Sequence, residues 1–491
     1  MSYGVVVGYF YDQLYIDGHW QAPTLSEEIS VVSAASEECV GRVPLGGTAD
    51  VDRAVAAARR AFDDPHGWAR WSPNDRAEVL RRFADELDSR KSEMVRRVSL
   101  QNGMPVSIGA QTEGAYPALL LRFYADLITG QAAEETRRSL VAGSTVVRKE
   151  PIGVVAAIVP WNFPQSLTFF KLAPALAAGA TIVLKPASET VLDAFFMAEA
   201  AEAAGLPAGV LNVVTGDGHD VGSHLVTHPA VDKVAFTGST GAGRTIAEQC
   251  GRLLRPVTLE LGGKSAGIIL DDVDVPTIAK QLFGATLLNQ GQTCFISTRI
   301  LAPQSRYDEI VDMVTALAKS LPIGDPLDRS TLIGPLASAK QRATVERYIR
   351  VGQAEGGRIT TGGGRPAHLD RGWYIEPTIF ADVDNRSTIA QDEIFGPVLA
   401  IIKYSDDEDA VAIANHSAYG LGGTVWTSDH QRGLQIARRI HTGSVGVNGF
   451  TLDIGAPFGG VKASGLGREL GPEGLSAYQQ LKSIYLPEVP A

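Results

Sequence analysis

The stretch GVVAAIVPWNFPQSLTFFKLAPALAAGATIVLKPAS, residues 153–188, decides the fold. It opens on an unbroken Val/Ala/Ile run, crosses an Ala- and Leu-rich segment of helical character, and closes on a second apolar run, "TIVLK". Strands buried on both faces read as continuous apolar runs, so this is a βαβ unit of a parallel sheet. The pattern repeats downstream: the helical "VLDAFFMAEAAEAAG" is followed by "VLNVVTG" and then "VDKVAFTGS". The expected class is α/β, with a doubly wound sheet that binds ligands at its strand ends.

A second α/β region begins near Gly263 and alternates "SAGIILDDVD", "RYDEIVDMVTALAKSL", "WYIEPTIFADV", "VLAIIKY" and "GGTVWTS". Two such lobes predict a cleft between them. Upstream, residues 51–64 and 75–99 carry apolar positions at helical spacing and read as amphipathic surface helices. The segment from about Gly130 to Val147 interrupts the first lobe, and the C-terminal "YQQLKSIYLPE" is strand-like with no neighbour in sequence. Unpaired strand edges seek partners, so these two pieces predict a small sheet that pairs with another subunit. The expected boundaries are 1–128 and 149–262 for the first lobe, 263–464 for the second, and 129–148 with 465–491 for the oligomerisation segments.

Composition removes several classes of function. The 491 residues carry a net charge of −11 and no Lys/Arg-rich run, which argues against a nucleic-acid or anionic-membrane footprint. No window reaches the ~18 apolar residues of a membrane helix. The N-terminal "MSYGVVVGYFYDQLYIDGHW" lacks the basic start of a signal peptide, so the expected compartment is cytoplasmic. Cys39, Cys250 and Cys294 form no CxxC pair and have no His at ligand spacing, so neither a metal site nor a disulfide framework is expected.

Four features carry chemistry. In "AFTGSTGAGR", residues 235–244, a strand runs through Gly238 and Ser239 into a helix start, where backbone N–H groups can hold an anion. Such turns also occur without any nucleotide, and this one lacks the G-x-G-x-x-G spacing. A second cluster, with Gly216, Gly218 and Gly222, follows "LNVV", and Lys185 ends "TIVLKP". Asn162 and Glu260 each end an apolar run: one supplies a neutral donor for an oxyanion, the other a carboxylate that can deprotonate water. Cys294, in "LLNQGQTCFISTRI", reads alone as a small buried hydrophobe.

The combination is more specific than its members. "WNFP", "LKPAS", "FTGSTGAGR", "LELGGKS", "GQTC", "EIFGPV" and "PFGGVKASGLGRELG" occur in that order, and the chain from "LYIDGHW" to the last strand-like run resembles the aldehyde dehydrogenase superfamily, of the NAD(P)-dependent hydrolytic type. The resemblance implies a Rossmann-like cofactor domain, a catalytic domain and a small oligomerisation β-sheet, in a homodimer or homotetramer.

It further implies that Cys294 attacks an aldehyde, that Asn162 and the Cys294 N–H hold the oxyanion, and that Glu260 activates the water that hydrolyses the thioester. Lys171 and Glu469 match proton-relay positions. Ile158, Pro160, Trp161, Lys185, Ser188, Gly218, Gly222, Phe236, Gly238, Ser239, Leu261, Gln341, Glu393 and Phe395 match cofactor contacts. Many NAD-preferring relatives carry Glu where Ser188 stands, so NAD is expected and NADP stays open; Glu189 is expected to point elsewhere. Phe163, Leu167, Phe170, Thr293, Phe295, Phe450 and Phe458 match the substrate tunnel, whose apolar character and lack of Arg favour aliphatic or aromatic aldehydes. A CoA-acylating relative and a cofactor-independent cysteine esterase are the alternatives; Glu260 weighs against the first, the glycine turns and Lys185 against the second.

Overall fold

The computed structural model describes residues 8–487. Its first sheet has six strands, in the spatial order Leu211–Val213, Thr181–Lys185, Val154–Ile158, Lys233–Thr237, Val257–Glu260 and Gly465–Leu466. The first five are parallel, and the last pairs antiparallel to Val257–Glu260. The chain order of the five is 3-2-1-4-5, so the winding reverses between Val154–Ile158 and Lys233–Thr237. A doubly wound sheet binds its ligand in the crevice at such a reversal.

The second sheet has seven strands, ordered Arg358–Thr361, Thr378–Ala381, Val398–Tyr404, Ser297–Pro303, Ser265–Ile269, Gly423–Trp426 and Gly446–Val447. All pairs are parallel except the one at the Arg358–Thr361 edge. The chain steps from the first sheet to the second through Leu261–Lys264 alone, which places this short link in the cleft between the lobes.

Two expectations change. Residues 75–99 form two helices, Pro73–Ser89 and Lys91–Asn102, broken at Arg90. They are not merely surface elements: Leu80, Phe83 and Leu87 pack with Leu120, Leu121 and Tyr124 of the helix Tyr116–Gly130 in the largest core. The C-terminal segment also divides. Gly465–Leu466 joins the first sheet, whereas only Gln479–Leu486 pairs with Ser144–Pro151, which in turn pairs with Glu134–Arg138. The small sheet therefore starts at 479 instead of 465, because the intervening residues are committed to the first lobe and its helix Gly471–Ser476.

Candidate active site

Cys294 follows a turn of unusual backbone. Asn289, Gln290 and Gly291 have φ of 52°, 55° and 75°, three successive left-handed residues. For non-glycine residues this conformation costs about 1–3 kcal/mol each and persists only where the surroundings fix it. Here the side chains do the fixing: Asn289 Nδ2 donates to Asn162 O (3.0 Å), and Gln290 Nε2 donates to Gly103 O (3.1 Å) and Pro335 O (3.0 Å). At Gly291 an added Cβ would stand 2.1 Å from Gly396 O, so only glycine fits. Thr293 Oγ1 then donates to Leu288 O (3.0 Å), closing the loop.

Asn162 lies at the carboxyl end of Val154–Ile158, just before the helix Pro164–Ala178. Its Nδ2 donates to Gln292 O (3.0 Å), which aims the amide at the nucleophile loop and leaves its second N–H available. The helix is pinned from below by Glu113, a buried residue that the sequence reading missed. Its carboxyl accepts from Gln165 N (2.7 Å), Ser166 N (3.3 Å) and Ser166 Oγ (2.5 Å), and burial still pushes it up to about 7.

Glu260 ends its strand fully buried, and neither carboxyl oxygen has a hydrogen-bond partner among the described residues. Burial, then the neighbouring Glu469, raises its pKa well above the carboxylate range, with Lys171 opposing. Lys171 Nζ donates to Glu469 Oε1 (2.7 Å) and Thr237 Oγ1 (2.5 Å), so both expected relay residues lie beside the base. The Cys294 thiol is also pushed up, by burial first and then by Glu393 and Glu260. Gly262 and Gly263 are the wedge between these groups: a Cβ on the first would stand 2.1 Å from Glu393 Oε2, on the second 2.3 Å from Cys294 O.

Two cavities meet at Cys294. One, of about 440 Å³, is bordered by all seven expected tunnel residues, with Tyr116, Phe283, Leu288, Leu332 and Leu452 added; Ser107, Gln111, Thr112 and Thr451 supply its polar wall, and among the described residues no charged side chain borders it. Phe295 and Phe450 stack there with centroids 4.5 Å apart, and Phe458 stands edge-on to Phe295 at 6.2 Å.

The other cavity, of about 370 Å³, opens at the sheet's reversal point and is walled by Pro160, Trp161, Gly238, Ser239, Leu261, Gln341, Glu393 and Phe395 from the expected set. Phe395 is held edge-on to Trp161 at 5.4 Å. Ser338, Lys340 and Thr344 also border it and carried no sequence signal beyond their nearness to Gln341. Ile158 and Phe236 instead lie in the strands beneath; the Phe236 ring packs under Gly238. Lys185 is buried, its Nζ donating to Pro186 O (3.0 Å) and Gly216 O (2.9 Å), and Gly222 packs on its stem. Gly218 stands open, with nothing near a would-be Cβ.

One position is corrected. Ser188 opens a 3₁₀ turn, so the strand end is not regular, and the cavity wall carries Glu189 in its place.

The wall suits a dinucleotide. Ser239 caps the helix Thr240–Arg252 through Ala242 N (3.3 Å), and Gly241 beside it is open, so the helix start at the cavity has room for an anion such as a pyrophosphate. Glu393, Gln341 and Glu189 supply the polar groups a ribose needs.

A model described as the aldehyde dehydrogenase family matches residues 20–484. The geranial dehydrogenase of Castellaniella defragrans is 55% identical over 476 residues, 97% of this chain and 99% of that one. A 3-succinoylsemialdehyde-pyridine dehydrogenase from Pseudomonas is 42% identical, over 96% of this chain and 98% of its own. Among solved structures, an aldehyde dehydrogenase of Mycobacterium tuberculosis complexed with NAD+ superposes with a TM-score of 0.96 at 48% identity, covering 98% of this chain and 99% of that chain. A mutant of aldehyde dehydrogenase C from Pseudomonas syringae, complexed with NAD+ and octanal, gives 0.93 at 40% identity, with 96% of each chain covered.

Proposed function

This chain belongs to the aldehyde dehydrogenase family and oxidises aldehydes with NAD, and we propose that it does so by covalent catalysis at Cys294 on uncharged aldehydes of medium length. The observation that carries the reading is the meeting of the two cavities at one thiol, with a wall that is apolar among the described residues on one side and Glu393, Gly238 and Ser239 on the other.

The residues divide the work. The thiolate is the attacking form, so the raised Cys294 needs a base to take its proton, and the buried, unpartnered Glu260 is that base. The second N–H of Asn162 and the Cys294 N–H hold the oxyanion of the tetrahedral thiohemiacetal. NAD bound in the second cavity supplies the hydride acceptor. Glu393 would hold its nicotinamide ribose and Glu189 its adenosine ribose; a carboxylate there would accept from hydroxyls and repel a 2′-phosphate, which supports NAD over NADP. Glu260 first releases the thiol's proton toward solvent and then takes one from water; the hydroxide adds to the thioester and the tetrahedral adduct collapses to the acid, expelling the Cys294 thiolate. The Lys171–Glu469 pair beside Glu260 provides a path for that proton.

The substrate class follows from the wall. Among the described residues no cation borders the tunnel to pair a substrate carboxylate, and the aromatic lining suits aliphatic, terpenoid or aromatic chains, the classes of the octanal and geranial named for its relatives. Each methylene buried is worth about 0.8 kcal/mol, roughly a fourfold change. A panel of straight-chain aldehydes, followed by NADH absorbance without CoA and with Cys294→Ala as the blank, should show kcat/KM rising about fourfold per methylene until the tunnel fills. A preference for semialdehydes carrying a carboxylate would overturn the substrate class.

A further inference from the structure

We propose that Asp193, Gln165 and Thr190 hold a potassium-sized monovalent cation in the seam between the helix Pro164–Ala178 and the helix Leu192–Ala203. The three side chains are 2%, 1% and 1% exposed. Both Asp193 carboxyl oxygens, Gln165 Oε1 and Thr190 Oγ1 have no hydrogen-bond partner among the described residues. All three side chains border one cavity of about 10 Å³, room for a single occupant the size of a water molecule.

The neighbours fix this arrangement without satisfying it. Gln165 Nε2 donates to Asp193 O (2.7 Å), which leaves Oε1 as the free end of the amide, and Gln165 N donates to Glu113 Oε2 (2.7 Å). Arg97, whose charge acts on Asp193, gives its Nε to Glu93 Oε1 (3.0 Å) and its Nη1 to the Tyr11 hydroxyl (2.8 Å). Gln101 donates its Nε2 to Arg97 O (3.0 Å), and its Oε1 accepts from Leu192 N (3.0 Å). Burial, then the nearby Glu113 carboxyl, opposes ionisation of Asp193.

The lining selects the occupant. Its free atoms are four oxygen acceptors, of which the Thr190 hydroxyl can also donate. A water would supply two hydrogens and leave the carboxylate charge unpaired, and a proton on Asp193 would serve one acceptor. A cation can coordinate all four oxygens and offset the charge, which relieves the cost of a bare buried carboxylate. One carboxylate suits one positive charge, and among the described residues no group of three acidic, His or Cys side chains is placed to hold a metal ion. The ion would brace the start of the helix that follows Asn162, where Gln165 lies, and Pro160, which borders both this cavity and the cofactor cavity.

The test is the melting temperature of the full-length protein across KCl concentrations, with choline chloride holding ionic strength constant. The wild type should gain about 2 °C for each tenfold rise in K+ above its Kd, the size of a tenfold mass-action gain in a long chain. Asp193→Asn removes the charge, keeps the shape and should lose that dependence. Thr190→Val, the second variant should the first not fold, should shift the dependence to about tenfold higher K+, the loss of one hydrogen-bond-sized contact. In crystals soaked with RbCl, whose cation is close to potassium in size, an anomalous peak should lie among Asp193, Gln165 and Thr190. A wild type indifferent to K+, a dependence unchanged in both variants, or a cavity without rubidium overturns the proposal.

Discussion

Cys294 and Glu260 oppose each other's ionisation, and both are pushed toward their neutral forms by burial. Ionising either group is therefore opposed, and activity should gain with rising pH as the base loses its proton. Because the folded Glu260 titrates well above the ordinary carboxylate range, the acid limb of kcat should lie above about 4.3, the unperturbed glutamate value. Glu260→Gln should remove that limb and slow both the first turnover, read as the NADH burst, and deacylation, the steady state by about 10²–10⁴-fold, because one carboxylate serves both proton transfers. Stopped-flow and steady-state rates across pH read both effects; an undiminished steady state would exclude Glu260 as the base. At this scale the sequence singled out Cys294, Asn162 and Glu260, which the fold gathers around the meeting of the two cavities, and it set Ser188 where Glu189 borders the cofactor cavity. Which of two adjacent residues faces a cavity depends on whether a strand end continues or turns, and that is a backbone property with no marker in "LKPASET".

The helix Pro164–Ala178 is the element on which both cavities depend. Asn162 and Phe163 precede it, and Leu167, Phe170 and Lys171 project from it into tunnel and relay. Its interior Pro174 breaks no rule that matters here, since every residue of the helix is buried and held by packing. Glu113 anchors its first turn through three donors, and that partner is invisible to local reading because it lies 52 residues upstream. Glu113→Gln replaces one accepting oxygen with an amide that faces N–H or O–H groups, leaving a buried donor unmatched at about 1–3 kcal/mol. The variant should melt measurably lower and lose kcat/KM through displacement of Asn162, with the melting temperature and steady-state kinetics as the paired readouts. Unchanged values for both would show that the helix needs no such anchor. The pH sense follows from the carboxyl's raised value of about 7: ionising it costs stability as pH rises through the interval from the unfolded value up to 7.

Across the whole molecule, the continuous runs from Val154 to Glu260 were readable because buried parallel strands tolerate only one kind of residue on both faces. The cleft was readable from two such regions in series. The break at Arg90 and the recruitment of Gly465–Leu466 by the first sheet were not, since both are decided by contacts between distant segments. The strand Gln479–Leu486 has the opposite character. It pairs with Ser144–Pro151 over eight residues, yet Leu481, Ile484, Tyr485 and Leu486 remain exposed, Tyr485 at 80%. Leu140 and Val141, at the tip between the other two strands, are exposed at 103% and 96%. A long sheet edge that exposes apolar side chains is a template for association in a protein otherwise rich in surface charge. A stable interface needs about 800 Å² from each partner, so association through this edge would seat the sheet against a broad surface of another copy. The wild-type protein should therefore run as a dimer or tetramer in light scattering, and Leu481→Glu with Tyr485→Asp should reduce that assembly by at least half. Catalysis draws on residues of one chain, so the dissociated variant should keep Cys294-dependent turnover while melting lower. A monomeric wild type, or a variant that assembles undiminished, would assign the exposed strip no role in self-association.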